Sequence, residues 1–126
     1  MNRVGNTVSG PELPFTVSGH CLVQFDENCI FIIGGWQNGA VSNKTWIFNP
    51  NGFEIKEGPA MIKERALHSC GKMKRKGKTI LVVAGGIGTM SNLDSVELCD
   101  PKSSRGWYFG NYDFVYLVAI SQHFED

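Results

Sequence analysis

Apolar residues along this chain fall in short runs broken by clusters of Gly, Asn, Asp and Pro. Two runs, Cys29-Ile-Phe-Ile-Ile and Thr79-Ile-Leu-Val-Val-Ala, are almost wholly apolar, and each ends on a glycine pair, Gly34-Gly35 or Gly85-Gly86. A short unbroken apolar run bounded by turn residues predicts a strand covered on both faces. Around these runs the pattern predicts two sets of four strands: 19–25, 29–34, 44–49 and 53–56, then 67–73, 78–84, 95–100 and 106–109. Short strands at regular spacing with turn signals between them point to an all-β fold. The third strand of each set (Thr45-Trp-Ile-Phe, Ser95-Val-Glu-Leu) mixes polar with apolar residues and is expected to be more exposed than the second. Residues 60–67 favour helix by composition. The segment is short and follows Gly-Pro, so it reads as a loop leading into a strand.

The two sets repeat one another. The glycine pairs lie 51 residues apart, and so do Phe48-Asn49-Pro50 and Cys99-Asp100-Pro101. Gly10-Pro11 precedes His20 by ten residues, as Gly58-Pro59 precedes His68. Phe15 and Phe25-Asp26-Glu27 return as Phe114 and Phe124-Glu125-Asp126, at an offset of 99. Several landmarks that keep their spacing define an internal repeat. Paired glycines let the backbone leave a buried strand through conformations closed to other residues. Phe48 and Trp107 supply apolar surface for packing between units. Pro50 and Pro101 stop the third strands, because proline cannot donate to the ladder.

Four-stranded units of this length with a diglycine after the second strand resemble the kelch repeat. That repeat runs Arg-x-x-His, an apolar strand with Gly-Gly, aromatic-Asp-Pro, Trp, then Gly-Pro-x-Met. The chain supplies Arg65-Ala-Leu-His68, Gly85-Gly86, Cys99-Asp100-Pro101 and Trp107, and earlier His20, Gly34-Gly35, Phe48-Asn49-Pro50 and Gly58-Pro59-Ala-Met61. The resemblance covers residues 10–126 and is closest to the propeller part of BTB–kelch proteins. Val17 stands where the first unit's Arg is expected, Ile55 or Phe53 where its Trp is expected, and Cys99 replaces an aromatic; 110–116 lacks a Gly-Pro.

The resemblance implies an all-β, partial kelch-type β-propeller, with two four-stranded antiparallel blades and the first strand of a third. It divides the chain into 1–13 (the end of a missing blade or a tail), 14–65, 66–113 and 114–126. It also implies structural roles for His20, Gly34, Gly35, Phe48, Pro50, His68, Gly85, Gly86, Asp100, Pro101 and Trp107. Propellers of this kind bind peptides at one mouth, through the loop after the diglycine and the loop entering the first strand. Mapped here, those loops offer Trp36, Gln37, Asn38, Thr89, Met90 and Arg65. Trp and Arg are frequent hot-spot residues. Arg65 could clamp a carboxylate or make a blade-to-blade hydrogen bond. Trp36 could be a contact or a lone exposed aromatic. Propellers close with about 4–8 blades, so two units and a strand suggest a piece of a larger propeller that self-associates through exposed blade faces. A truncated or degenerate product without its own activity is the alternative. In relatives the propeller selects substrates for a ubiquitin ligase through a BTB domain, or binds actin.

Charge and composition narrow the functions. Among 126 residues, 12 Lys and Arg balance 12 Asp and Glu, which argues against a nucleic-acid partner. Apolar residues at 42% exclude a disordered chain. No apolar run approaches the roughly 20 residues of a membrane span, and no apolar stretch marks a secretory signal. A cytoplasmic protein is expected, with the nucleus left open by the basic run Lys72-Met-Lys-Arg-Lys-Gly-Lys78, which otherwise reads as a solvated hairpin tip. Cys21, Cys29, Cys70 and Cys99 have neither C-x-x-C nor zinc spacing and are expected to be reduced and buried. A Cys21–Cys29 bond is not expected. With an Asp26-Glu27-Asn28 turn, Phe25 would face Cys29 and leave Cys21 beyond the roughly 7 Å that a disulfide spans. The sequon Asn43-Lys44-Thr45 reads as chance without a secretion signal.

Ile80-Leu-Val-Val-Ala-Gly-Gly-Ile-Gly-Thr-Met-Ser91 superficially resembles a dinucleotide fingerprint, but Ser91 holds the third glycine position and a strand follows. No G-x-S-x-G or H-E-x-x-H motif is present. Copper radical oxidases share this kind of propeller, but Tyr108, Tyr112 and Tyr116 cluster in one stretch rather than across blades. The expectation is a non-catalytic protein-interaction module without cofactor or metal, its partner a protein or peptide, with neither nucleic acid nor membrane.

Overall fold

Strand alternation sets the architecture. The structure, a computed structural model, describes residues 17–111. The expected segment 1–13 and the strand expected within 114–126 lie outside these residues. In β2 (Cys21–Asp26), Val23 is buried between exposed Leu22 and Gln24. In β3 (Cys29–Ile33), Phe31 and Ile33 face the same way and are almost fully buried. With β6 (Thr45–Asn49) and β7 (Glu54–Glu57) they form an antiparallel sheet ordered β2-β3-β6-β7, the first blade. The second blade is β8 (Ser69–Arg75), β9 (Lys78–Ala84), β10 (Val96–Cys99) and β11 (Tyr108–Phe109), again in sequence order across the sheet. The fold is therefore all-β, with two four-stranded blades and no helix among the described residues. Residues 60–67, rich in helix formers, run as the loop that joins the blades.

A third, smaller sheet was not foreseen. β4 (Trp36–Gln37) and β5 (Ala40–Val41) form a hairpin after Gly34-Gly35, and β1 (Val17–Ser18) pairs with β4. The turn is Asn38-Gly39, with φ values of 52° and 88°. Two successive positive-φ residues make the turn whose twist matches flanking strands, and Asn-Gly is the sequence that favours it. Lys76-Gly77 repeats that geometry between β8 and β9, at φ 52° and 78°.

The blades meet through the alternate residues of both sheets. Val23, Phe31 and Ile33 from the first blade pack with Leu81, Val83, Cys99 and Trp107 from the second, and with Met61 of the connector. Each fully buried aliphatic side chain of this kind contributes about 1.5–3 kcal/mol. The other face of blade 2 carries Ile80, Val82, Val96 and Leu98, all buried. The other face of blade 1 is less covered: Leu22 is 58% exposed, and Ile32, Trp46 and Phe48 are half-buried.

Three expectations need correction. The third strand of blade 2 is buried at every position, including Glu97, because that carboxylate has an internal cationic partner rather than water. Across the first hairpin Asp26, not Phe25, faces Cys29, because the register shifts at an irregularity between Gln24 and Asp26. Finally, the cysteines are not all free. Cys21 and Cys70 are disulfide-bonded, with Cα atoms 6.1 Å apart. Packing sets the leading strands of the two blades, β2 and β8, side by side. The partner of Cys21 thus lies across a blade boundary, where hairpin spacing cannot find it. Cys29 and Cys99 remain free. Burial, aided by the Asp100 charge, pushes the Cys99 thiol up to about 11 and leaves it unreactive.

The bridge closes a loop with sequence separation 49 and so restricts the unfolded chain. By loop entropy alone, a closure of that size is worth at most about 4 kcal/mol. Cys70→Ser, or reduction of the parent chain, is expected to lower the urea midpoint, and reductant should have no further effect on the variant.

Candidate functional site

Chemistry-bearing side chains gather at the end of the blades where the glycine pairs lie. Gly34, Gly35, Gly85 and Gly86 all have positive φ, between 64° and 91°. Space is as restrictive as φ. A Cβ on Gly35 would lie 2.6 Å from the Ser18 carbonyl oxygen and 2.9 Å from the His20 backbone. One on Gly86 would lie 2.6 Å from the Ala66 oxygen and 2.9 Å from the His68 Cα. The second glycine of each pair thus backs directly onto the chain entering the first strand of its own blade, beside His20 or His68. The loops follow the same plan: Ser18 pairs with Trp36 in the first unit, and Ala66 bridges Ile87 in the second, which in turn bridges Asn92.

Beneath these loops lies a buried ion pair. Arg65 and Glu97 are each 0% exposed, and their nearest N–O approach is 3.0 Å. Arg65 Nε and Nη2 both donate to Glu97 Oε2, Nη1 donates to the Gly85 and Ser95 carbonyls, and Nη2 also donates to Ser95 Oγ. Glu97 additionally accepts the N–H groups of Ile62 and Lys63 at 2.6 and 3.0 Å. The Arg65 backbone meanwhile binds blade 1: its N–H donates to Ser42, and its carbonyl accepts from Gly35. Of the two roles open to Arg65, the structure shows the contact between blades. Expected on the partner-facing surface, Arg65 instead lies fully inside, with its fork saturated. Sequence reasoning missed Glu97, because a charged residue in a mixed strand is ordinarily assigned to solvent.

The connector is tied down on both sides. The Pro59 carbonyl accepts from Thr45 Oγ1 of blade 1 and from Trp107 Nε1 of blade 2. Asn43 Nδ2 donates to the Met61 carbonyl, and the Met61 N–H returns to Asn43.

The other expected contact residues are at the surface. Trp36 and Gln37 are half-buried in β4, Asn38 is exposed at its turn, Thr89 is exposed, and Met90 is 93% exposed. A Cβ on Gly19 would lie 2.6 Å from the Trp36 ring and 3.4 Å from Leu67, so the indole lies over Gly19 with Leu67 beside it. Leu67 was not foreseen. It is 63% exposed and holds φ 56°, and its N–H donates to the Gly19 carbonyl. Among the described residues no group of three His, Cys, Asp or Glu is placed to hold a metal.

His68 packs inside this end, with its Cε1 2.9 Å from where a Gly34 Cβ would stand. Burial first, and then the Arg65 charge, lower its pKa from 6.5 to about 4, against an opposing backbone interaction with Ile33. His20 is exposed.

Repeated four-stranded blades, diglycine exits and side-by-side first strands define a partial kelch-type propeller. No protein-family profile matches the chain. A curated relative, Kelch-like protein 40 of Xenopus tropicalis, is 31% identical over 94 residues. The match takes in 74% of this chain and 14% of that protein, and supports a kelch-like relationship. Among the described residues no helix is long and apolar enough to cross a membrane.

Two outcomes are expected. Glu97→Gln leaves a buried guanidinium without its counter-charge and should cost about 3–5 kcal/mol in urea unfolding, whereas Arg65→Met with Glu97→Leu should cost less than the sum of the single changes. His68 binds its proton less readily folded than unfolded. Its stabilising contribution is complete above pH 6.5 and is lost as pH falls toward about 4. Urea midpoints at pH 7 and pH 5 should therefore differ more in the parent chain than in His68→Gln.

Proposed function

We propose that the diglycine end of the two blades is a docking surface for a protein or peptide partner, and that the chain acts by binding rather than by catalysis. The observation that carries this reading is the placement of Trp36, Leu67 and the exposed loop of Thr89 and Met90 at that end, above a buried, ion-paired floor. Aromatic and Met side chains on a fixed scaffold suit partner contacts. Leu67 in a left-handed conformation is the kind of strained exposed residue found at binding sites. Arg65 supports the surface from below and does not touch the partner. The protein-interaction propellers that the chain resembles, and its likeness to a kelch-like protein, agree with this reading.

The partly exposed face of blade 1 favours a second association, between copies of the chain. Leu22, Ile32 and Trp46 there occupy positions equivalent to Cys70, Val83 and Glu97, through which blade 2 packs on blade 1.

Peptides selected by display against the full chain test the docking surface. Trp36→Ala and Met90→Ala are each expected to weaken the selected peptides about tenfold or more, while Leu22→Ala leaves peptide binding intact and shifts light scattering toward the monomer. Peptides indifferent to both Trp36 and Met90 would show that the surface lies elsewhere.

A further inference from the structure

The opposite end of blade 2 carries a chemistry that the docking surface does not use. The β8–β9 hairpin pairs seven residues on each strand, from Ser69 with Ala84 to Arg75 with Lys78. Its tip therefore lies about 20 Å from the glycine end. Five of the seven residues from Lys72 to Lys78 are cationic. The turn after β10 brings Lys102 and Arg105 toward the same tip. Between them is a cavity of about 390 Å³, lined by the cations Arg75, Lys76, Lys78 and Arg105 and, among other residues, by the Asp100 carboxylate, Ser103 and Tyr108. A second cavity of about 550 Å³ shares Lys78 and Ser103 with it and adds Lys102. Against these five cations stand the carboxylates of Asp26 and Asp100. Asp100 already accepts the Lys102 N–H at 3.0 Å.

Blade 1 shows that the cavity is not a general product of the repeat. Its corresponding turns carry Glu27-Asn28 and Asn49-Pro50-Asn51, with no cation, and they are closed onto one another by the Asn51–Asn28 side-chain hydrogen bond. In blade 2 the equivalent turns stand apart and are lined with positive charge. The arrangement is also partly preorganised. The Arg105 guanidinium carbon lies 3.9 Å from the centroid of the Tyr108 ring, which orients its planar fork. Like charges gathered around a concave site repel one another until an anion enters, and the walls focus their field.

We propose that this cavity binds a compact polyphosphate, several phosphate groups on a small framework, by charge-assisted hydrogen bonds from Lys76, Lys78 and Arg105. The volume suits a phosphorylated ring or a pyrophosphate rather than an extended polymer. The proposal is independent of the docking surface, which lies at the other end of the blades.

Calorimetric titration of the full chain with inositol hexakisphosphate and with pyrophosphate tests it. Binding of inositol hexakisphosphate is expected, weakened about tenfold or more by Lys78→Ala with Arg105→Ala and within about twofold of the parent in Lys44→Ala with Lys56→Ala, a pair of cations on blade 1. Arg105→Lys should fall between, because it keeps the charge and loses the fork. Thermal melts of each variant confirm that the fold is retained. Capture by phosphatidylcholine vesicles containing phosphatidylinositol bisphosphate, competed by the soluble probe, supports the site with a lipid headgroup as ligand. Binding of the soluble probe without vesicle capture supports it with a free polyphosphate. No heat at millimolar probe, or equal losses in the blade 1 and blade 2 variants, would overturn it as diffuse surface charge.

Discussion

Arg65 and Glu97 hold the two blades in register. The backbone of Arg65 is fastened to Gly35 and Ser42 in blade 1, and its guanidinium to Gly85, Ser95 and Glu97 in blade 2. Glu97 completes the arrangement by accepting two N–H groups of the connector, those of Ile62 and Lys63. A buried ion pair adds little net stability relative to an apolar pair of the same shape, because both charges must leave water. What it supplies here is direction. Arg65 donates five hydrogen bonds from its guanidinium and Glu97 accepts four, so the connector cannot slide against either sheet without leaving a buried polar atom unpaired. The apolar contacts of Phe31, Leu81 and Val83 supply attraction, but they would tolerate more than one register.

The repeat itself illustrates how such a pair is exchanged. By the spacing of the landmarks, the position of Arg65 corresponds to Val17 in the first unit, and that of Glu97 to Trp46. Both members of the pair are absent there together. In the second unit, where both positions are fully buried, a lone charge at either one would be costly. Val17 instead contributes to the small sheet by pairing with Gln37. The missing arginine of the first unit, which reads from the sequence as a departure from the repeat, is thus matched by a change on the third strand of the same unit.

Much of the fold was legible because it rests on local signals. The apolar runs 29–33 and 79–84, their glycine exits and the 51-residue offset place the strands of both blades within a few residues of where they lie. The less legible features depend on contacts between distant segments. Cys21 and Cys70 meet only because packing sets β2 beside β8. Glu97 is buried only because Arg65 reaches it from 32 residues away. The Asn38-Gly39 turn is a different case. Its signal was present in the sequence, but strands of two residues are too short for alternation to reveal them. Of the candidate surface, Trp36, Asn38, Thr89 and Met90 were legible from their place after the diglycines. Leu67 was not, because its positive φ and its backbone bond to Gly19 involve a segment 48 residues away and leave no local signal.

These constraints divide the blades into two ends with different freedom to vary. At the diglycine end, close backbone approach leaves no room for a Cβ at Gly34, Gly35 or Gly86, and the buried pair fixes the connector beneath. Side chains displayed there stand on a floor of close backbone contacts and the buried pair, and neither Trp36 nor Met90 belongs to that pair. At the hairpin tips, a Cβ at Gly77 would meet no atom within 4 Å, and Lys76 and Lys78 are exposed. Charge can accumulate there without disturbing the core. The same repeat can therefore keep one end nearly constant in backbone while its tips carry acidic residues in blade 1 and basic residues in blade 2.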